Sequence, residues 1–212
     1  MFLFNKSANC QVGGFALASI ACILCSISAD LPQWRVWYLN ETVFSERSVA
    51  FVGMWRVCLY NQSSKPDNAR GCHEYSYHDN SVPLDIHIIQ HLLLIANILG
   101  LIGTVATIIA LQNVYTGKEQ KNVTYNPFIT SAVLNIVASS LVLLAVLCNY
   151  LSVIQEAGIA FPPSFQMPLY PPHQRIGIAN VVASLAALLF LGSGIIFVSY
   201  TNPVENEIFP GV

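Results

Sequence analysis

Four uninterrupted apolar stretches limit what this chain can fold into. They run over 11–29, 86–111, 128–151 and 176–200, and none contains Asp, Glu, Lys or Arg. A helix of roughly 20 apolar residues crosses a bilayer, so each stretch is long enough to span one. Only 9% of the residues are charged, against about 25% in a soluble domain. So few charges cannot dress a water-facing surface. The expected class is an all-α membrane protein of four spans, forming one domain over 1–212. A cleaved leader ending near Ala29 is the rival reading of the first stretch. Its charge before the apolar run is limited to Lys6, and the run is long, so an uncleaved helix fits better.

Each stretch carries small or polar residues four apart: Gly14, Ala18, Cys22 and Ser26; Ala96, Gly100 and Thr104; Ser131, Asn135 and Ser139; Ala179, Ala183 and Ala187. Small residues let helix backbones approach closely in lipid, where no hydrophobic effect drives helices together. The stripes predict one compact bundle. Asn97 and Asn135 are expected to hydrogen-bond between helices. With no Asp, Glu, Lys or Arg inside a span, no buried charge marks a pump or transporter path.

The distribution of Lys and Arg does not orient the chain, because the 30–85 segment holds most of them. Other chemistry does. That segment carries the sequons Asn40-Glu41-Thr42 and Asn61-Gln62-Ser63, which suit a lumenal or extracellular surface. It also carries the two loop cysteines, Cys58 and Cys72, and paired thiols persist in oxidising compartments. Closing a loop of this size contributes about 3 kcal/mol in the chain-entropy model. The expected topology therefore has segments 1–10, 112–127 and 201–212 cytosolic, with extracellular loops at 30–85 and 152–175. The remaining four cysteines read as small buried apolar residues.

The first loop is rich in strand formers. "WRVWYLNETVF", "VAFVGMWRVCLY" and "CHEYSYH" are the candidate strands. Period-2 alternation along Val49–Tyr60 puts Trp55 on one face and Arg56 with Cys58 on the other. A Cys58–Cys72 bridge would join this strand to the next. The expectation is a small extracellular antiparallel sheet.

Trp34, Gly53-Met54-Trp55, Cys58 and Cys72 resemble the first-loop signature of the claudin family. Gln11-Val12-Gly13-Gly14, Leu31-Pro32-Gln33-Trp34, Pro83-Leu84-Asp85 and Arg175-Ile176-Gly177 extend the resemblance over nearly the whole chain, closest to the divergent claudin-34 group. What it implies is a left-handed four-helix bundle with an extracellular sheet. Family members polymerise with themselves and other claudins within a membrane and pair across cells at tight junctions, as barriers or paracellular pores. Trp34, Gly53, Met54 and Trp55 would anchor the sheet near the outer leaflet. Leu59 and His73, each following a signature cysteine, would be pore-facing. Phe161, Pro162 and Phe165 would serve adhesion in the second loop.

The sequence departs from the family in several places. Met54 replaces Leu, the cysteine spacing is longer, and Gln90 stands where an Arg at the mouth of the second helix would tie sheet to bundle. Terminal Val212 keeps the residue type that PDZ scaffolds bind by strand addition, although Pro210 and Gly211 are poor strand residues. An auxiliary channel subunit of the same architecture is the alternative function.

Other chemistries find no support in the residues. Charge over Gln33–Asp85 is five basic against six acidic residues, too near balance to name an ion preference. The formal net charge of −2 gives no electrostatic case for nucleic acid. His87 and His91 share a helical face, but no spacing of a known metal site accompanies them. There is no phosphate loop, nucleophile elbow or HExxH pattern, so neither enzyme nor cofactor is expected.

Overall fold

The computed structural model describes residues 2–39, 48–61, 69–75, 82–116, 121–159, 161 and 167–199. Helix α1 spans Phe2–Asp30, strands β1 to β4 span Arg35–Leu39, Ser48–Val52, Arg56–Asn61 and Ala69–Glu74, and α2 spans Leu84–Tyr115. Then come α3 over Lys121–Ile154, β5 over His173–Ile176 and α4 over Ile178–Val198. All four helices contain stretches long and apolar enough to cross a membrane.

Local sequence sets the helix ends. Pro83 precedes α2 and its carbonyl accepts the Ile86 N–H at 3.1 Å, while Asp85 lies in the first turn, where a negative charge suits the helix dipole. Helix α3 stops at a left-handed residue, Glu156, with φ 50°. The Ala157 N–H reaches the Ser152 carbonyl and the Glu156 N–H the Val153 carbonyl, the paired closure that ends many helices.

Each helix carries a buried row that alternates steps of three and four. In α2 it is Ile86, Ile89, Leu93, Ala96, Gly100, Gly103, Thr107 and Ala110, with Gln90 buried beside it; in α4 it is Ala179, Ala183, Ala186, Phe190, Ser193 and Phe197, with Asn180, Ala187 and Gly194 buried beside it. A repeat of 3.5, short of the 3.6 of a straight helix, is the seam of left-handed packing. The expected small-residue stripes lie on or beside this seam: Ser131, Asn135, Ser139, Ala179, Ala183 and Ala187 are all buried. In α1 the seam passes through Cys25 and Ser28, and Ser26 is exposed. Cys22 and Cys25 are buried, but Cys10 is exposed, contrary to the buried reading of all four span cysteines.

The chain divides into two compact units, one of Met1–Leu24, Ile95–Val142 and Leu185–Val212, the other of Cys25–Leu94 and Leu143–Ser184. The first is helical. Ala110, Phe128, Ala132 and Phe197 form a core cluster in it. Thr107 and Ser131 hydroxyls meet at 2.6 Å, Asn135 Nδ2 donates to Ser193 Oγ at 3.2 Å, and Ser193 Oγ donates to the Gly14 carbonyl at 2.8 Å. Uncharged polar groups thus join all four helices.

The second unit carries a five-stranded antiparallel sheet in the order β4-β3-β2-β1-β5. Two expectations change here. The run Val49–Tyr60 is not one strand. It breaks at Gly53–Trp55 into β2 and β3, and the Gly53 N–H closes the hairpin on the Arg56 carbonyl at 2.9 Å. The run is apolar almost throughout, so its pattern cannot mark the break. The second change is β5. The segment before α4 supplies an edge strand, paired Arg35↔Ile176 through Tyr38↔His173 with β1.

Candidate functional site

The signature residues assemble around the sheet, with Trp34, Met54 and Cys58 buried. Trp34 is fully buried and donates its Nε1–H to the Ser28 carbonyl, 2.8 Å away. A hydrogen-bonded indole at such a place pins the start of β1 to the end of α1. The next residue, Arg35, is also fully buried. Its Nε–H donates to Asn149 Oδ1 at 2.8 Å and its Nη2 pairs with the Asp85 carboxylate at 2.5 Å. Asn149 in turn donates Nδ2–H to the Trp34 carbonyl at 3.3 Å. A buried charge is tolerated only when paired and hydrogen-bonded, and Arg35 meets that condition with partners from α2 and α3.

Burial pushes the Tyr75 hydroxyl far above the usual tyrosine range, with the nearby Arg35 charge pulling the other way. The hydroxyl and Arg35 Nη1 are buried without a hydrogen-bond partner among the described residues.

The Gly53-Met54-Trp55 turn is clamped at both ends. A Cβ on Gly53 would lie 2.7 Å from Pro32 Cα, so no larger residue fits that approach. Met54 is buried, and its carbonyl accepts Gln90 Nε2–H at 2.6 Å. Gln90 Oε1 lies 3.0 Å from His87 Nδ1. At Gln90, where an Arg would give a charged tie, a neutral hydrogen bond to the turn stands instead. Trp55 is 38% exposed. Arg56 pairs with Asp30 at 3.1 Å.

Cys58 and Cys72 form a disulfide and face one another across the β3–β4 ladder. The ladder puts Val36, Phe51, Cys58, Cys72 and Arg175 on one face, and Trp37, Ala50, Leu59, Gly71 and Gln174 on the other. Leu59 is buried at 7% exposure on the covered face, so it is not free to line a water-filled path in this arrangement. His73 shares that face opposite Val57 and is half-buried. Phe161 meets the buried Trp37 ring edge-on at 5.3 Å. Asn61 ends β3, and Asn40, Pro162, Phe165 and Val212 lie outside the described residues. Among the described residues no three His, Cys, Asp or Glu side chains group as a metal site.

Sequence reasoning missed the Arg35–Asp85–Asn149 cluster. A signal existed: in a chain so poor in charge, an arginine directly after a tryptophan and an aspartate at a helix mouth are unusual enough to be paired. Residues 15–199 match the family described as PMP-22/EMP/MP20/Claudin tight junction. Comparison with curated proteins finds no match.

Proposed function

Because this chain belongs to the PMP-22/EMP/MP20/claudin family, a family of multi-pass membrane proteins rather than enzymes, we propose that it is a structural adhesion component of tight junctions. In this reading it polymerises in the plasma membrane with itself and other claudins and pairs across cells, forming a barrier or weakly selective pore. Its first loop departs from the family pattern at Met54 and Gln90, which fits a divergent member of the claudin-34 kind.

One observation supports this reading most: a disulfide-closed sheet whose seat, Trp34 and Arg35, is buried and fixed to helix residues Ser28, Asp85 and Asn149. A sheet seated that firmly serves as a fixed contact surface, not a tether. The disulfide and the sequons at Asn40 and Asn61 favour an extracellular sheet with both termini cytosolic. Val212 is a candidate scaffold contact.

Expression in cells that lack junction strands tests the function. Strands in freeze-fracture replicas and a rise in transepithelial resistance are expected. No strands, no resistance change and co-purification with a channel would overturn it in favour of an auxiliary subunit.

A further inference from the structure

The sheet has two outer strands, β4 and β5, and among the described residues neither has a strand on its far side. An unpaired strand edge is a template for another chain. Strand β4 runs antiparallel to β3 and β5 antiparallel to β1, while β1 and β3 are both antiparallel to β2. Strands β4 and β5 therefore run in the same direction. A second copy in the same orientation can add its β5 to this β4 as a parallel pair. Such a head-to-tail join uses two different surfaces and builds an open row unless a rotation closes it.

The charges on the two edges are opposite. Glu74 ends β4 and is exposed. It stands across from Arg56 in the ladder, but Arg56 is committed to Asp30, through the carboxylate at 3.1 Å and the carbonyl at 3.3 Å. Glu74 has no ion-pair partner among the described residues. Arg175 on β5 is exposed, and its environment holds it in place. Its guanidinium lies 5.8 Å from the Tyr38 ring centroid, and its Nε–H donates to His173 Nε2 at 3.3 Å. Stacking and that bond leave the guanidinium's outer nitrogens available for a carboxylate.

The register brings them together. Cys72 shares a row with Cys58, Phe51, Val36 and Arg175. In the join that continues this row past β4, the next copy's Arg175 stands opposite Cys72. Glu74 is then its diagonal neighbour on the same face, within reach of long side chains.

We propose that the β4 edge of one copy mates with the β5 edge of a second copy, with Glu74 and Arg175 as the charge pair that sets the order. This rests on the self-assembling reading above and names its contact. The test is co-isolation of two differently tagged full-length chains from membranes, comparing wild type with Glu74→Arg and Arg175→Glu. Either variant alone faces like charges at every junction, and its self-association should fall about tenfold. Mixing the two variants restores opposite charges at both junctions and should recover wild-type yield, which also shows that each folds. Single variants that associate normally, or a mixture that stays apart, would overturn the edge pairing and leave the junction reading standing. Wild-type copies that do not co-isolate would remove the self-assembly reading and the edge pairing with it.

Discussion

In the helical unit the buried side-chain contacts among Ser, Thr and Asn are uncharged and short in reach. Ser139 donates to the Ala187 carbonyl at 2.8 Å, Ser193 to the Gly14 carbonyl, and Thr107 meets Ser131. The sheet-bearing unit instead buries a guanidinium and two tryptophans and is closed by a covalent bridge. The difference follows from what each unit has to hold. Helices satisfy their own backbones, so hydroxyls and amides suffice to fix how they pair. A sheet of short strands from distant parts of the chain needs stronger ties to a scaffold, because its local contacts alone are marginal.

Glycine replacements should expose the contrast most sharply. A Cβ at Gly177 would overlap the Gln33 carbonyl, which also accepts the Ala179 N–H at 3.0 Å. Backbone cannot yield there without breaking the start of α4, so Gly177→Ala should abolish folded protein at the cell surface. A Cβ at Gly100 meets the Phe190 ring at 2.7 Å and Cys22 Sγ at 2.9 Å. Side chains can shift, and Gly100→Ala should lower stability by only about 1 to 3 kcal/mol. Equal loss from both, read as the melting midpoint of purified protein, would erase the distinction.

Next in size is Asp85→Ala, which strands Arg35 as a buried unpaired charge and should cost about 3 to 5 kcal/mol. Replacing both partners, Arg35→Met with Asp85→Leu, should recover most of that loss, since an apolar pair of similar volume is often neutral or better. A double variant as unstable as Asp85→Ala would show that Arg35 matters for its bonds to Asn149 and not for the ion pair.

Cys58→Ser should cost about 2 to 5 kcal/mol and leave Cys72 open to a membrane-impermeant alkylating reagent on intact cells. Cys72 already reactive in the wild type would contradict the bridge and the extracellular placement together. The smallest effect belongs to the helical unit. Ser139→Ala should cost about 0.6 kcal/mol, and a loss several times larger would mean that this unit also relies on single strong ties.

Much of this was legible in the residues. Apolar length alone marked four spans, and two cysteines in one strand-rich loop marked the bridge. The hairpin at Gly53–Trp55 was not, because the run is apolar almost throughout and the turn lacks an Asn-Gly or Asp-Gly marker. Strand β5 hid in "HQRI", four residues of no strong strand preference that pair because β1 offers an edge. The small-residue stripes pointed to helix contact, and Ser131, Asn135, Ser139, Ala179, Ala183 and Ala187 are all buried. The exposed exception is Ser26, where the buried row runs through Cys25 and Ser28. At the candidate site, the resemblance named Trp34, Met54 and Trp55, while Asn149 and the hydrogen-bonding role of Gln90 became visible only in space.

By itself the sequence determined that this chain lives in a membrane with four helices and one covalent tie, because apolar length and cysteine placement are local properties. The tertiary structure decided which faces are buried, that Leu59 is covered, and that Arg35 finds Asp85 and Asn149, 50 and 114 residues further along. Partners that far apart leave no periodic trace in the chain. Only a folded backbone brings them within hydrogen-bonding distance.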